Sequence, residues 1–173
     1  MPEFAEVKLV ARELDQAVRG RKILAVQTWP TATSITKTPL GRLPDRRVTR
    51  VTQRGKYLLF QLSRGYTLIS HLGMTGAWLQ RNTPPRHTHL ALQFEELTLY
   101  YSDPRRFGNI WLTRHPEQVL GTLGPDPFRL DWAYLQGRLA RFRKSKPLKQ
   151  ILLDQSCFSG IGNYLAAEML WRT

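Results

Sequence analysis

Apolar residues recur at three- and four-residue spacing at the start of the chain. Val7, Val10, Ala11, Leu14 and Val18 share one face and Gly20 closes the run, so residues 3–19 are predicted to form an amphipathic helix. From position 23 the texture changes to short runs of β-branched, aromatic and Leu residues separated by Gly, Pro, Ser, Asn and Asp. Strands are predicted over 23–29, 48–53, 57–62, 67–71, 89–94, 97–101 and 109–113, with Glu95-Glu96 as a hairpin turn. Such a series suits an antiparallel sandwich or barrel. Residues 30–44 and 81–86 read as loops, the second marked by Pro84-Pro85. Around Leu123-Gly124-Pro125-Asp126-Pro127 two close prolines break regular structure and only helical periodicity follows. A boundary is expected there, dividing 1–125 from 126–173. Beyond it, Asp131 is placed to cap a helix presenting Trp132, Leu135, Leu139 and Phe142, and Pro147 opens another reaching about Gln155. Ser159-Gly160-Ile161-Gly162 makes a tight turn, and 163–172 form a helix with Leu165, Met169 and Leu170 inward, still running where the sequence stops.

Composition narrows the class of partner. Hydrophobic residues make up 42% and charged residues 23%, ordinary for a globular chain and unlike a disordered one. The 26 Lys and Arg against 13 Asp and Glu give a formal charge of +13, which points to a polyanion, nucleic acid first. No apolar run approaches the roughly 20 residues that cross a bilayer, and the acidic start around Glu3 and Glu6 is unlike a signal peptide. No membrane partner is expected, and the chain is expected in the cytoplasm, on the nucleoid if bacterial. The single cysteine, Cys157, excludes an intramolecular disulfide and a cysteine-rich zinc site within these residues.

The first residues carry candidate chemistry. Met1-Pro2-Glu3-Phe4-Ala5-Glu6 becomes, once Met1 is removed, a terminal secondary amine beside two carboxyl groups. A terminal α-amino group titrates at about 7.7–8.0 and a lysine at about 10.4, so the terminus offers far more neutral amine at pH 7. Attack on a sugar aldehyde carbon would give an iminium that acidifies the neighbouring carbon and permits elimination of a phosphate ester, with Glu3 and Glu6 available for proton transfer. Proline followed by Glu in the first turn is equally how ordinary helices begin.

Five further motifs follow in order: Arg54-Gly55-Lys56-Tyr57-Leu58-Leu59, His71-Leu72-Gly73-Met74-Thr75-Gly76, Asp103-Pro104-Arg105-Arg106-Phe107-Gly108, Leu123-Gly124-Pro125-Asp126-Pro127, and Gly160-Ile161-Gly162-Asn163-Tyr164 with Glu168. Together with the Pro-Glu start, the chain resembles the formamidopyrimidine-DNA glycosylase and endonuclease VIII (Fpg/Nei) family of DNA repair enzymes. The resemblance implies an α+β fold: an N-terminal helix with a two-sheet antiparallel β sandwich, followed by a partial helical, helix-two-turn-helix domain. It implies a bifunctional glycosylase and AP lyase acting on double-stranded DNA with oxidised bases or abasic sites. Pro2 would be the nucleophile, Glu3 the acid that protonates the sugar as its ring opens, Glu6 a second carboxylate for proton transfers, and Lys56 a contact to the backbone beside the lesion, completing the catalytic set.

An extruded base leaves a gap in the stack that must be filled. By resemblance Met74 fills it, Phe107 wedges between bases and Arg105 bonds the orphaned partner. His71, His89 and Arg106 would contact the DNA backbone, and Asn163, at a helix N-terminus whose free N–H groups attract phosphate, would do the same. His87 and His115 have no assigned role. The basic set Arg138, Arg141, Arg143, Lys144, Lys146 and Lys149 is expected to widen the DNA footprint.

Phe4-Ala5 departs from the family's usual Pro-containing opening, and Lys8 stands where an acid is common. Members continue well beyond position 173 into a C-terminal zinc finger or a zincless equivalent, so this sequence is expected to be a fragment, a truncated product or a minimal paralogue. No metal site and no cofactor are expected within it, and a monomer is expected. Asp103-Pro104-Arg105-Arg106-Phe107-Gly108 leans to oxidised purines such as 8-oxoguanine and formamidopyrimidines, whereas Leu153-Asp154-Gln155 is similar to endonuclease VIII members. A remnant that binds DNA without cutting it is the alternative left open.

Overall fold

The computed structural model describes residues 2–140, 142 and 146–172. The first helix, α1 (Phe4–Val18), buries Phe4, Val7, Ala11, Leu14 and Val18 on the stripe its spacing predicts. Eight strands follow: β1 (Ala25–Thr28), β2 (Val48–Arg54), β3 (Tyr57–Leu62), β4 (Tyr66–His71), β5 (Ala77–Gln80), β6 (Thr88–Gln93), β7 (Thr98–Ser102) and β8 (Asn109–Thr113). They pair antiparallel into two four-stranded sheets of order β1-β6-β7-β5 and β2-β3-β4-β8. The expected α+β fold with a two-sheet sandwich is what forms.

In β3 the alternation is simple: Leu58, Phe60 and Leu62 are buried in the main core while Gln61 is exposed. β6 is buried along Thr88–Leu92, because a 3-10 turn at Pro30–Ser34 packs against it. Trp78 lies between Phe60 and Tyr101, with ring centroids 5.3 and 5.2 Å away, and its indole N–H donates to Ser70 Oγ at 3.1 Å. This aromatic row joins the two sheets.

Four elements depart from the sequence expectation. β5 was not predicted: four residues straight after the Thr75-Gly76 turn are too few to show alternation, and pairing with β7 makes the strand. The loop expected over 30–44 contains the 3-10 turn, and a short helix α2 (Glu117–Leu120) follows β8. The first strand is shorter than expected at both ends.

The remaining helices are α3 (Trp132–Leu139), α4 (Leu148–Leu153) and α5 (Asn163–Trp171). Asp131 caps α3 by accepting from Tyr134 N at 2.6 Å. A second core gathers Ile151, Leu152, Cys157, Phe158, Ile161 and Ala166, with Leu135, Leu139, Phe142, Leu165 and Leu170 against it. Trp132 and Met169, expected inward, are exposed instead; Ala166 takes the most buried place on α5. That helix spans Asn163–Trp171, with Arg172 as its C-cap. The two cores are stitched by Gly124 N to Gln155 O at 2.8 Å, Ser159 Oγ to Pro125 O at 3.0 Å and Phe4 N to Gly160 O at 3.0 Å. No helix among the described residues is long and apolar enough to cross a membrane.

β2 is an edge strand, and α1 packs against it and bonds its backbone through one side chain. Asp15 Oδ1 accepts the Val51 N–H at 2.7 Å and its other oxygen pairs with Arg19 at 2.5 Å. Burial works against the ionised form, yet the Val51 N–H and the Arg19 guanidinium hold the Asp15 carboxyl below the usual carboxylate range. Asp15→Ala leaves that N–H without its acceptor and is expected to cost about 1–3 kcal/mol, read by urea unfolding. Unchanged stability would remove Asp15 from the account of how α1 docks.

Candidate active site

The site begins where the chain does. Pro2 is half-buried and Glu3, the N-cap of α1, is 8% exposed. The Glu6 carboxylate, one turn on, accepts the Glu3 N–H at 2.8 Å. The Glu3 carboxylate crosses to the other end of the sequence: Oε2 accepts from Gly162 N at 3.1 Å and Leu165 N at 3.0 Å, and Oε1 from Tyr164 N at 2.9 Å. The α5 N-terminus expected to offer free N–H groups to phosphate is therefore already engaged by a carboxylate of the same chain, as its dipole favours. Gly162 is required for this: a Cβ there would collide with the Glu3 carboxylate. Glu3, Ala5, Glu6, Tyr164 and Leu165 line a cavity of about 340 Å³ at this junction.

Lys56 reaches the same place from the β2–β3 hairpin, whose turn is Gly55-Lys56. Gly55 adopts φ +58°, a left-handed conformation glycine tolerates, and its backbone lies against Ser159 and Gly160. Lys56 is 7% exposed. Burial pushes its ammonium below the ordinary lysine range, with the Glu3 charge pulling partly back. His71 is shifted below the usual imidazole range by burial and by the Lys56 charge. Its Nδ1 accepts the Gly73 N–H at 3.3 Å and its ring lies 4.8 Å from that of Tyr57, so in this tautomer Nε2 carries the proton. Tyr57, His71 and Asn109 are register partners across three strands, which puts the hairpin, the end of β4 and the loop before β8 at one end of one sheet.

Two turns project from that end. Met74 and Phe107 are 47% and 52% exposed, unusual for such side chains in a folded chain with a good core. Asp103, fully buried, ties the turns together: Oδ1 accepts from Thr75 Oγ1 at 2.6 Å and Oδ2 from Gly108 N at 2.8 Å. Gly73 packs on the Phe107 backbone, where a Cβ would stand 2.6 Å from a carbonyl carbon. Arg105 is exposed and lays its guanidinium 4.7 Å from the Phe107 ring centroid. Arg106 is exposed in a left-handed conformation, φ +55°. Asn163 is exposed as the first residue of α5, and Gly162 is the N-cap.

One expectation is corrected, and two members of the basic set are found engaged within the chain. His89 is 4% exposed, with Nδ1 on Thr31 Oγ1 at 2.7 Å and Nε2 on Asp103 O at 2.9 Å; in this arrangement it braces the Asp103 turn and has no nitrogen left for a phosphate. Arg138, from the basic set, is turned inward, donating to Ser156 O and Oγ at 2.8 and 2.9 Å, and Lys146 pairs with Asp154 at 3.5 Å. Arg141, Arg143 and Lys144 of that set, like Met1, lie outside the described residues. Among the described residues no three His, Cys, Asp or Glu side chains come together as a metal-holding group. Asp103 and Gly162 organise the site without an assigned role in the sequence reading; their signal was a carboxylate and a glycine inside the motifs at positions no apolar pattern explains.

The profile of the formamidopyrimidine-DNA glycosylase N-terminal domain matches residues 1–110. The chain belongs to the formamidopyrimidine-DNA glycosylase family. A family member from Thermus thermophilus, named formamidopyrimidine-DNA glycosylase, is 39% identical over 99% of this chain and 64% of its own length. The chain thus spans less than two thirds of that relative. Among solved family structures, a Lactococcus lactis mutant in complex with Fapy-dG containing DNA superposes with a TM-score of 0.86 at 31% identity, covering 98% of this chain and 66% of the other. A MutM complex with carbocyclic 8-oxo-G containing DNA gives 0.88 at 30%, covering 98% and 68%.

The glycine and the carboxylate at the junction test each other. Gly162→Ala is expected to cost about 1–3 kcal/mol by displacing the carboxylate from its donors, but far less in a Glu3→Ala background, a non-additivity that a double-mutant cycle in urea reads. Equal costs in both backgrounds would mean the two do not meet. For Lys56, the folded state holds the proton less tightly than the unfolded chain. Between its lowered folded pKa and the ordinary lysine value, stability therefore rises with pH, and Lys56→Met is expected to abolish that rise in unfolding titrations across the alkaline range.

Proposed function

We propose that this chain is the catalytic portion of a bifunctional DNA glycosylase and AP lyase of base-excision repair, removing oxidised bases, purines before pyrimidines, from double-stranded DNA. The observation that carries the reading is the Glu3 carboxylate, buried next to Pro2 and held by three N–H donors of the α5 turn on the wall of the junction cavity. Such a group is positioned before substrate arrives, which is what proton transfer at a sugar needs. Family membership and the lesion-containing DNA named for the solved relatives support the same class.

In this mechanism Met1 is removed and the Pro2 nitrogen attacks C1′ of the damaged nucleoside. The N-glycosidic bond breaks with its electrons leaving on the base, which takes up the proton that the Pro2 nitrogen sheds, and Glu3 delivers a proton to the ring oxygen as the C1′–O bond opens to the iminium. The resulting iminium acidifies C2′; loss of that proton expels the 3′ phosphate ester, and a second elimination expels the 5′ phosphate. Glu6 assists proton transfers. Lys56, desolvated and near His71, meets a backbone phosphate beside the lesion, where a counter-anion relieves the cost of its burial. Met74 fills the vacated stack, Phe107 wedges the opposite step and Arg105 leaves the Phe107 ring to bond the orphaned base. His71, Arg106 and Asn163 hold the strand. Residues 1–125 form the catalytic domain and 126–173 the partial helix-two-turn-helix domain of a cytoplasmic monomer, with no cofactor held by these residues.

Met1-processed protein incubated with an abasic duplex and borohydride is expected to form a covalent adduct. Pro2→Gly, or a form retaining Met1, should trap at least tenfold less; equal trapping refutes the assigned nucleophile. Glu3→Gln is expected to lose base excision while still cutting preformed abasic sites.

A further inference from the structure

At the end of the sandwich away from the Met74 and Phe107 turns, three arginines converge on one tyrosine. Tyr66 opens β4, five residues before His71, so about 17 Å of strand separates the two. The ring is 6% exposed. Arg42 donates to Tyr66 Oη at 2.7 Å, and the guanidinium carbons of Arg46 and Arg114 stand 4.3 and 4.7 Å from the ring centroid. Arg114 is brought there by the sheet, since Thr113 is the register partner of Thr67. A cavity of about 490 Å³ opens beside the ring, walled by Pro39 and Leu112 and edged by Arg42, Arg114 and His115.

No carboxylate neutralises this group. Among the described residues none of the three arginines forms an ion pair. Asp45, beside Arg46 in the chain, pairs with Lys22 at 2.6 Å, and Glu117 lies 3.2 Å from His115 Nδ1. Arg46 spends its hydrogen bonds on the carbonyls of Arg42 and Ser63, which satisfies donors without cancelling charge. The Tyr66 hydroxyl is held below the usual phenol range, first by the Arg42 hydrogen bond and then by the other guanidinium charges, the response of an acidic group to an uncompensated positive field.

We propose that this cavity binds a phosphoryl group, as a free anion or as the terminal phosphate of a nucleotide or strand, at a site separate from the Glu3 junction. Guanidinium forks match phosphate oxygens in pairs. Thr38 Oγ1 accepts the Leu112 N–H at 2.6 Å, leaving its own O–H as a further donor on the wall. The tyrosine ring packs against guanidinium groups and is almost wholly covered, so a nucleobase has no platform on which to stack. The site therefore reads charge and shape of the anion, not base identity. A volume of this size admits a phosphoryl group with a sugar attached.

Calorimetric titration of inorganic phosphate at constant ionic strength, set with chloride, tests the site. Saturable binding is expected in the unaltered chain, weakened at least tenfold by Arg114→Gln and unchanged by Arg12→Gln, on the exposed face of α1. Arg114→Lys, which keeps the charge and loses the fork, should fall between. Arg114 is exposed but packs on the Tyr66 ring, so its variants are expected to lower the urea midpoint only slightly; Arg42→Gln, which also breaks the tyrosine bond, serves as the second probe. A trinucleotide with and without a 5′ phosphate separates the sources. Binding of the phosphorylated form alone assigns a strand end, and binding of inorganic phosphate alone assigns a free anion. Binding unchanged by Arg114→Gln, or no saturable binding of either phosphate, overturns the proposal.

Discussion

One carboxylate joins the beginning of the chain to its last helix. Glu3 is the N-cap of α1 and, through its side chain, the acceptor for three N–H groups at the start of α5. Without it the buried Gly162 N–H would lose its acceptor, at the cost attached to an unpaired donor, and the part-buried N–H groups of Tyr164 and Leu165 would lose theirs as well. The surrounding glycines follow from this bond. Gly162 leaves room for the carboxylate, and Gly160, at φ +100°, leaves room for the Phe4 ring on the other side of the turn. The turn sequence is thus shaped by the first four residues of the chain, far away in sequence and adjacent in space.

The same bond constrains chemistry. A carboxylate at the N-cap of one helix that also holds the first turn of another cannot be moved without disturbing both, so the two cores stay in register around the Pro2 end. Lys56 is fixed by a different route, a tight hairpin pressed on Ser159 and Gly160, and feels Glu3 electrostatically. Three separate stretches, the N-terminus, the first hairpin and the α5 turn, therefore meet with little freedom to rearrange, the preorganisation that the attack proposed for Pro2 would draw on.

Much of this was legible in the sequence. The stripe of Val7, Ala11, Leu14 and Val18 forecast α1, and the short apolar runs forecast seven of the eight strands, because one buried face writes its period directly into the chain. β5 was hidden because four residues carry too little pattern and its existence rests on β7. The motifs located Pro2, Lys56, Met74, Phe107 and Asn163, but not what each touches. His89 looked like a ligand-facing histidine and is a brace, since nothing local distinguishes an imidazole bound to Thr31 from one awaiting a phosphate. The Tyr66 arginines were invisible for a related reason: Arg42, Arg46 and Arg114 are brought together by sheet pairing and loop closure, and no window along the sequence contains them all.

Tyr101 ends the aromatic row beneath the two exposed turns. Its hydroxyl has no hydrogen-bond partner among the described residues and occupies the space that side chains at Gly76 and Gly108 would need. Size at these three positions is shared property. A shortened ring would still leave a Cβ at Gly76 in collision with the Leu72 carbonyl oxygen and one at Gly108 3.0 Å from that of His71, so the backbone holds this corner to glycine even where the ring could give way.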